Sequence, residues 1–171
     1  ALRPAISANG RFVVFDSIAS NLVGGDTLGF EDIFIHDRDA DGNGIFDEPD
    51  GTTIERVSVT SAGNEAEGGA SREAMVSENG RYVTFTSGAT NLAPVDFPST
   101  FQLYRHDRET GATERISERD GIGSDSAAFA STMTPDGNLI AFHSAATNLT
   151  EGDSNGQFAL FLFGSGELTE P

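Results

Sequence analysis

Twelve residues in the first third of the chain carry the spacing of a cation loop. Asp37, Asp39 and Asp41 occupy its positions 1, 3 and 5, Gly42 its position 6, and Glu48 its position 12, in the run D-R-D-A-D-G-N-G-I-F-D-E. Alternate short carboxylates can converge on one hard cation, a glycine at the sixth place permits the tight turn, and the Asn43 carbonyl would add an oxygen. Asp47 or Glu48 would close the far side. Five carboxylates within twelve residues also repel one another strongly unless a counter-ion sits among them. The candidate ligands are therefore Asp37, Asp39, Asp41, Asn43, Asp47 and Glu48, and the expected ion is Ca2+ in a structural role. Position 8 is Gly44 instead of an apolar residue, and the flanks read as strands, not helices. The competing reading is a solvated acidic hairpin tip. Calcium is expected to raise the melting temperature, and Asp39→Ala to remove most of that rise.

Other chemistry is harder to assemble. His36 and His106 hold equivalent positions at the ends of two strands, and His143 lies on a different one, so a convergent three-histidine site is not expected. No G-x-S-x-G elbow and no phosphate-cradling glycine loop ahead of a helix occurs. Asn21, Asn91 and Asn148 recur together with Asp26, Asp96 and Asp153. They could form a ring of polar ligands, but Asn and Asp more simply cap turns through side-chain-to-backbone hydrogen bonds.

The elements that must position these residues come from a repeat. SANGRFVVFDSIASNLVGGD (7–26), SENGRYVTFTSGATNLAPVD (77–96) and TPDGNLIAFHSAATNLTEGD (134–153) superimpose, with Gly10, Gly80 and Gly137 spaced by 70 and 57 residues. Each unit continues into a second apolar run: DIFIHDRD, QLYRHDRE or ALFLFGSG. Two add a third run, TIERVSV or TERIS, and GELTEP looks like a short version of it in the third unit. Runs of four to seven residues rich in Val, Ile, Phe and Thr, bounded by Gly, Asn and Asp, are strands and turns. In RFVVF, Phe12 and Val14 face one way while Val13 and Phe15 face the other, so both faces are apolar. Phe15, Phe85 and Phe142 recur in register, as do Phe34, Tyr104 and Phe161, and read as core between units.

The expected fold is all-β: four-stranded antiparallel blades of β-propeller type, three of them, over residues 1–69, 70–127 and 128–171. The extra length of the first unit lies mainly in the acidic hairpin between its third and fourth strands. Three blades cannot close a ring. The chain is then half of a six-bladed ring completed by a second copy, a fragment of a longer chain, or an open stack that assembles head to tail.

The repeat, S-x-(D/N)-G-R-h-V-x-F-x-S-x-A-(S/T)-N-L-x-x-x-D followed by D-I-F-h-x-D-R and R-h-S (h, hydrophobic), resembles the TolB-like propeller repeats of secreted bacterial proteins. The resemblance implies a propeller used for protein contacts, often of six blades, and does not imply catalysis. The third unit departs from it, with Phe163-Gly164-Ser165 where the others have His-Asp-Arg.

Composition sets the remaining bounds. The 171 residues carry 10 Lys+Arg against 27 Asp+Glu, a formal charge of −17, and the ten basic residues are all arginine. That balance argues against nucleic acid and anionic lipid, and it fits hydration in a salty medium or a GC-rich genome. Without cysteine there is no disulfide, thiol catalysis or cysteine-ligated zinc. No apolar run is long enough for membrane insertion. The chain opens on ALRPAIS without Met and reads as mature or excised. The composite expectation is a non-catalytic extracellular or periplasmic module whose partner is protein, chiefly a second copy of itself. The alternatives are a filament or surface-layer subunit, or the propeller part of a secreted hydrolase whose catalytic part lies elsewhere.

Overall fold

The computed structural model describes residues 2–94, 100–151, 156–164 and 167–169. Three four-stranded antiparallel sheets, each a simple meander, follow one another along the chain. The first contains β1 (Leu2–Ile6), β2 (Phe12–Ser17), β3 (Asp32–Asp37) and β4 (Thr53–Arg56). The second contains β5 (Ser71–Val76), β6 (Tyr82–Ser87), β7 (Gln102–Asp107) and β8 (Thr113–Arg115). A two-stranded hairpin, β9 (Glu118–Arg119) and β10 (Ile122–Gly123), intervenes. The third sheet contains β11 (Ala128–Met133), β12 (Leu139–Ser144), β13 (Ala159–Gly164) and β14 (Glu167–Thr169). No helix among the described residues is long and apolar enough to cross a membrane.

The repeated motif is explained residue by residue. Ser7 Oγ donates to Asn9 Oδ1 and accepts the Phe12 amide, while Asn9 Oδ1 also accepts the Arg11 amide. Ser77, Asn79, Arg81 and Tyr82 repeat this pattern, as do Thr134, Asp136, Asn138 and Leu139. These side chains hold a tight turn whose glycines, Gly10, Gly80 and Gly137, have φ of 77°, 72° and 72°. The S-x-A step works similarly: Ser17, Ser87 and Ser144 each accept the amide of the alanine two residues on.

An ion pair ties the start of the second strand to the end of the third. Arg11 grips Asp37 through Nε (2.7 Å) and Nη2 (2.8 Å), and Arg81 grips Asp107 at 2.9 and 2.7 Å. The third sheet has Asn138 and Gly164 at these places, so both partners are missing together, which accounts for its departure from the motif. Its outer pairing survives nonetheless, with Phe163 opposite Leu168. Ser165 and Gly166 lie outside the described residues.

The Arg81 fork holds the Asp107 carboxyl down at about 2, against an ordinary 3.8. A carboxyl lowered in the folded state contributes stability above its unfolded value and loses it as pH falls toward the folded one. Between pH 5 and pH 2 the unfolding free energy should therefore drop, with at most about 2 kcal/mol from this pair. In urea titrations Asp107→Asn should be less stable than the parent at pH 5 and should show a shallower acid decline. Parallel declines would refute the assignment.

The sheets stack face to face. Phe12 and Val14 of β2 and Ile33 and Ile35 of β3 pack against Val83, Phe85 and Tyr104 of the second sheet. Leu103 and Ile116 then pack against Ile140, Phe142 and Phe161 of the third. Each sheet carries one stacked cross-strand aromatic pair in the same register: Phe15–Phe34, Phe85–Tyr104 and Phe142–Phe161, with ring centroids at 5.8, 5.8 and 5.4 Å. The first strand of every sheet is bulged, and the first two bulges place non-glycine residues, Arg3 and Glu73, at positive φ. That bend adds twist to the strand.

The sequence reading did not anticipate the β9–β10 hairpin. Its signal was an Asp120-Gly121 pair, and both residues have positive φ (53° and 80°), as a two-residue hairpin turn requires.

Candidate functional site

The acidic loop projects between β3 and β4, and the structure divides its six candidate ligands into two groups. Asp37 and Asp47 belong to the framework. Asp37 lies in the Arg11 fork, and Asp47 in a fork from Arg38 Nε (3.1 Å) and Nη2 (2.6 Å), each arginine pulling its carboxyl below the ordinary range. Arg38 also covers the Phe46 ring at 4.9 Å and bonds the Gly10 carbonyl, tying the loop to the turn below.

The other four form the tip. Asn43 Nδ2 bridges Asp41 Oδ2 (2.9 Å) and Glu48 Oε2 (2.5 Å), so these three side chains converge. Buried Asp39 lies beneath them and accepts the Gly44 amide through both carboxylate oxygens at 3.1 and 3.2 Å. Gly42 takes φ of 71°, as the cation-loop pattern requires. An oxygen set for calcium drawn from this loop would therefore be Asp39, Asp41, Glu48 and the Asn43 carbonyl, on a hairpin whose base is pinned by Asp37 and Asp47.

The histidines stand on three different sheets. His36 Nδ1 lies 3.1 Å from the Thr53 carbonyl, and His106 Nδ1 lies 2.9 Å from Thr113 Oγ1. His143 stacks between Phe129 and Phe158 on the outer face of the third sheet.

The recurring asparagines are links between sheets. Asn91 Nδ2 donates to the Glu65 carbonyl, and its Oδ1 accepts the Glu67 amide. Asn148 makes the same two bonds to the Gly123 carbonyl and the Asp125 amide. Each asparagine thus grips the linker that leads into its own sheet. Asn21 holds the equivalent place in the first sheet, is exposed, and makes no such bond among the described residues. Of the recurring aspartates, Asp96 and Asp153 lie outside the described residues. Asp26 caps no turn; it is buried near Arg56. Sequence reasoning missed this cluster because its other members, Asp32 and Glu65, sit 6 and 39 residues further on with no shared motif.

Both ends of the stack remain open. On the first sheet the outer face presents half-buried Val13, Phe15 and His36 and exposed Ile54 around a buried Phe34, and on the third it presents Leu139, His143, Leu160 and Leu162. Leu139 and Leu160 are 42% and 46% exposed, and neighbouring Phe158 is 69% exposed.

A three-sheet stack of meandering blades with inter-blade asparagine links is the architecture of β-propeller blades. Solved structures agree, and the fold is TolB-like. The chain superimposes on TolB from Acinetobacter baumannii with a TM-score of 0.53 at 20% identity, over 99% of this chain and 31% of that one. It also superimposes on a structure assigned to TolB from Agrobacterium tumefaciens, with a TM-score of 0.50 at 17% identity, over 99% of this chain and 49% of that one. The chain thus spans about a third to a half of those structures. No family model and no curated protein matches the sequence.

Proposed function

We propose that this chain is a non-catalytic protein-contact module that docks through its two open blade faces, in an extracellular or periplasmic setting, with a calcium-stiffened hairpin at its rim. One observation carries the reading: the open faces repeat, in register, the surfaces that are buried inside the stack. Val13 and Phe15 on the open first sheet correspond to Val83 and Phe85, and to Ile140 and Phe142, all four fully buried between blades. The ungripped Asn21 matches Asn91 and Asn148 in the same way. A face built to the internal pattern fits another blade of this kind, and two copies related by a two-fold axis would bring six blades into one ring. Continued head-to-tail stacking would give a filament. The likeness to TolB structures and the strongly acidic composition support the location.

Light scattering in calcium and then in chelator tests the assembly. Twice the chain mass of 18.0 kDa, about 36 kDa, is the expected result. Phe15→Asp with Leu160→Asp should return the chain to the monomer. An 18 kDa species that ignores both substitutions and concentration would overturn docking between copies, and a large polydisperse mass would select the filament. In the same samples calcium should raise the melting temperature, and Asp41→Asn with Glu48→Gln should reduce the rise. A parent chain indifferent to calcium would sink the loop assignment.

A further inference from the structure

A second group of oxygens, separate from the hairpin, lies beneath the rim of the first blade. Asp26, Asp32 and Glu65 each bring a carboxylate oxygen to within 4.8 Å of the other two. Their one cation is Arg56, whose Nη1 hydrogen-bonds Glu65 at 3.0 Å and stands 3.6 Å from Asp32 and 3.7 Å from Asp26. Three carboxylates around one guanidinium leave two negative charges in excess, and the Asp26 and Asp32 side chains are each only 2% exposed. Burying uncompensated charge is costly.

Two further observations point outward to a ligand. The buried Oδ2 of Asp26 is left with no hydrogen-bond partner. The second blade fills the Asp32 place with an uncharged residue. Gln102 replaces Asp32 there, and Arg115 corresponds to Arg56. The Gln102 amide is fully satisfied: Nε2 donates to Thr100 Oγ1 and the Ser124 carbonyl, and Oε1 accepts from Ser117 Oγ and the Ser124 amide. The scaffold therefore does not require a carboxylate at the Asp32 place.

We propose that Asp26, Asp32 and Glu65 form a second, inter-strand site for a divalent cation, Ca2+ being the ion whose size and ligand preference fit. Oxygens bound at 2.3–2.6 Å on opposite sides of a calcium ion stand just under or about 5 Å apart, which matches the spread of this cluster; magnesium demands a tighter octahedron. The ligands are pre-set. The backbone amides of Thr27 and Leu28 and the Thr27 hydroxyl hold Glu65, and Ser58 Oγ holds Asp32 Oδ1 at 2.6 Å. The Gly25 carbonyl, which accepts from Arg56 Nη2, keeps the guanidinium anchored at one side. A divalent ion brings the group of three carboxylates and one arginine to zero net charge and gives the orphaned Asp26 oxygen a partner.

The test starts from a chain whose hairpin cannot bind, Asp41→Asn with Glu48→Gln, titrated with calcium chloride by isothermal calorimetry. One ion per chain is expected. Adding Asp26→Asn, or separately Glu65→Gln, should weaken binding by at least about tenfold, since losing even an outer-shell partner of a metal costs that much. Circular dichroism checks that both variants fold, and should one unfold, the other decides. No binding by the hairpin-disabled chain overturns the site, as does binding that both extra substitutions leave unchanged. If the parent binds one ion and the hairpin-disabled chain none, the hairpin reading stands and this one falls. If both bind one ion, the reverse holds.

Discussion

Phe85→Ala is expected to remove about 3–5 kcal/mol of stability, whereas Phe15→Ala, the same position one blade earlier, should remove less than about 2 kcal/mol from the monomer. Both rings stack on an aromatic partner across the strand pair at 5.8 Å. The difference lies on the other side of the ring. Phe85 is completely enclosed by the first blade, so its deletion leaves a cavity in a packed interface. Phe15 faces outward, and water can follow the truncated side chain inward. Urea unfolding of both variants at low protein concentration supplies the comparison. Equal losses there would show that the open face is not open in the monomer. If instead the Phe15 loss grows with protein concentration, a second copy is covering the ring.

Gly69→Ala should cost about 3 kcal/mol, because a methyl there meets main chain and not a movable side chain. A Cβ on Gly69 would stand 2.4 Å from the Gly88 carbonyl oxygen and 2.5 Å from its carbon. The two glycines lie back to back where the linker from the first blade enters the second, and Gly88 N bonds the Ala70 carbonyl beside them. Gly111→Ala is the control. Its φ is +75° but nothing lies within 4 Å of the added carbon, so only the left-handed backbone penalty of about 1–2 kcal/mol applies. Thermal unfolding of the pair separates clash from strain, and a Gly69→Ala chain as stable as its parent would refute the close approach.

The repeat made most of the architecture legible in advance. Strands, order within each blade, the glycine turns and the aromatic register follow from spacing, because a meander uses only neighbours in sequence. The acidic hairpin lies between the third and fourth strands, where its spacing places it, but the roles of its carboxylates were only partly legible. Asp37 looked like the first ligand of a loop, yet it also ends a strand opposite Arg11, and the equivalent Asp107 with Arg81 in the loop-free second blade betrays that role. Asp47 was likewise drawn off by Arg38. The Asp26–Asp32–Glu65 cluster was invisible for a different reason. Its members come from a loop, a strand start and a linker, and only the pairing of β3 with β4 and the folding back of that linker bring them together. The asparagines were read as local turn caps, whereas their bonds reach 23 to 26 residues back along the chain.

Those backward bonds have a kinetic consequence. Every sheet is completed by strands consecutive in the chain, and every asparagine link closes onto a segment already made. Among the described residues, no pairing waits for a distant terminus to arrive. A chain emerging from the ribosome or from an export pore can therefore finish one blade before the next exists. The finished blade offers its apolar face and its linker as a template for the following one, so assembly proceeds vectorially with short loop closures at each step.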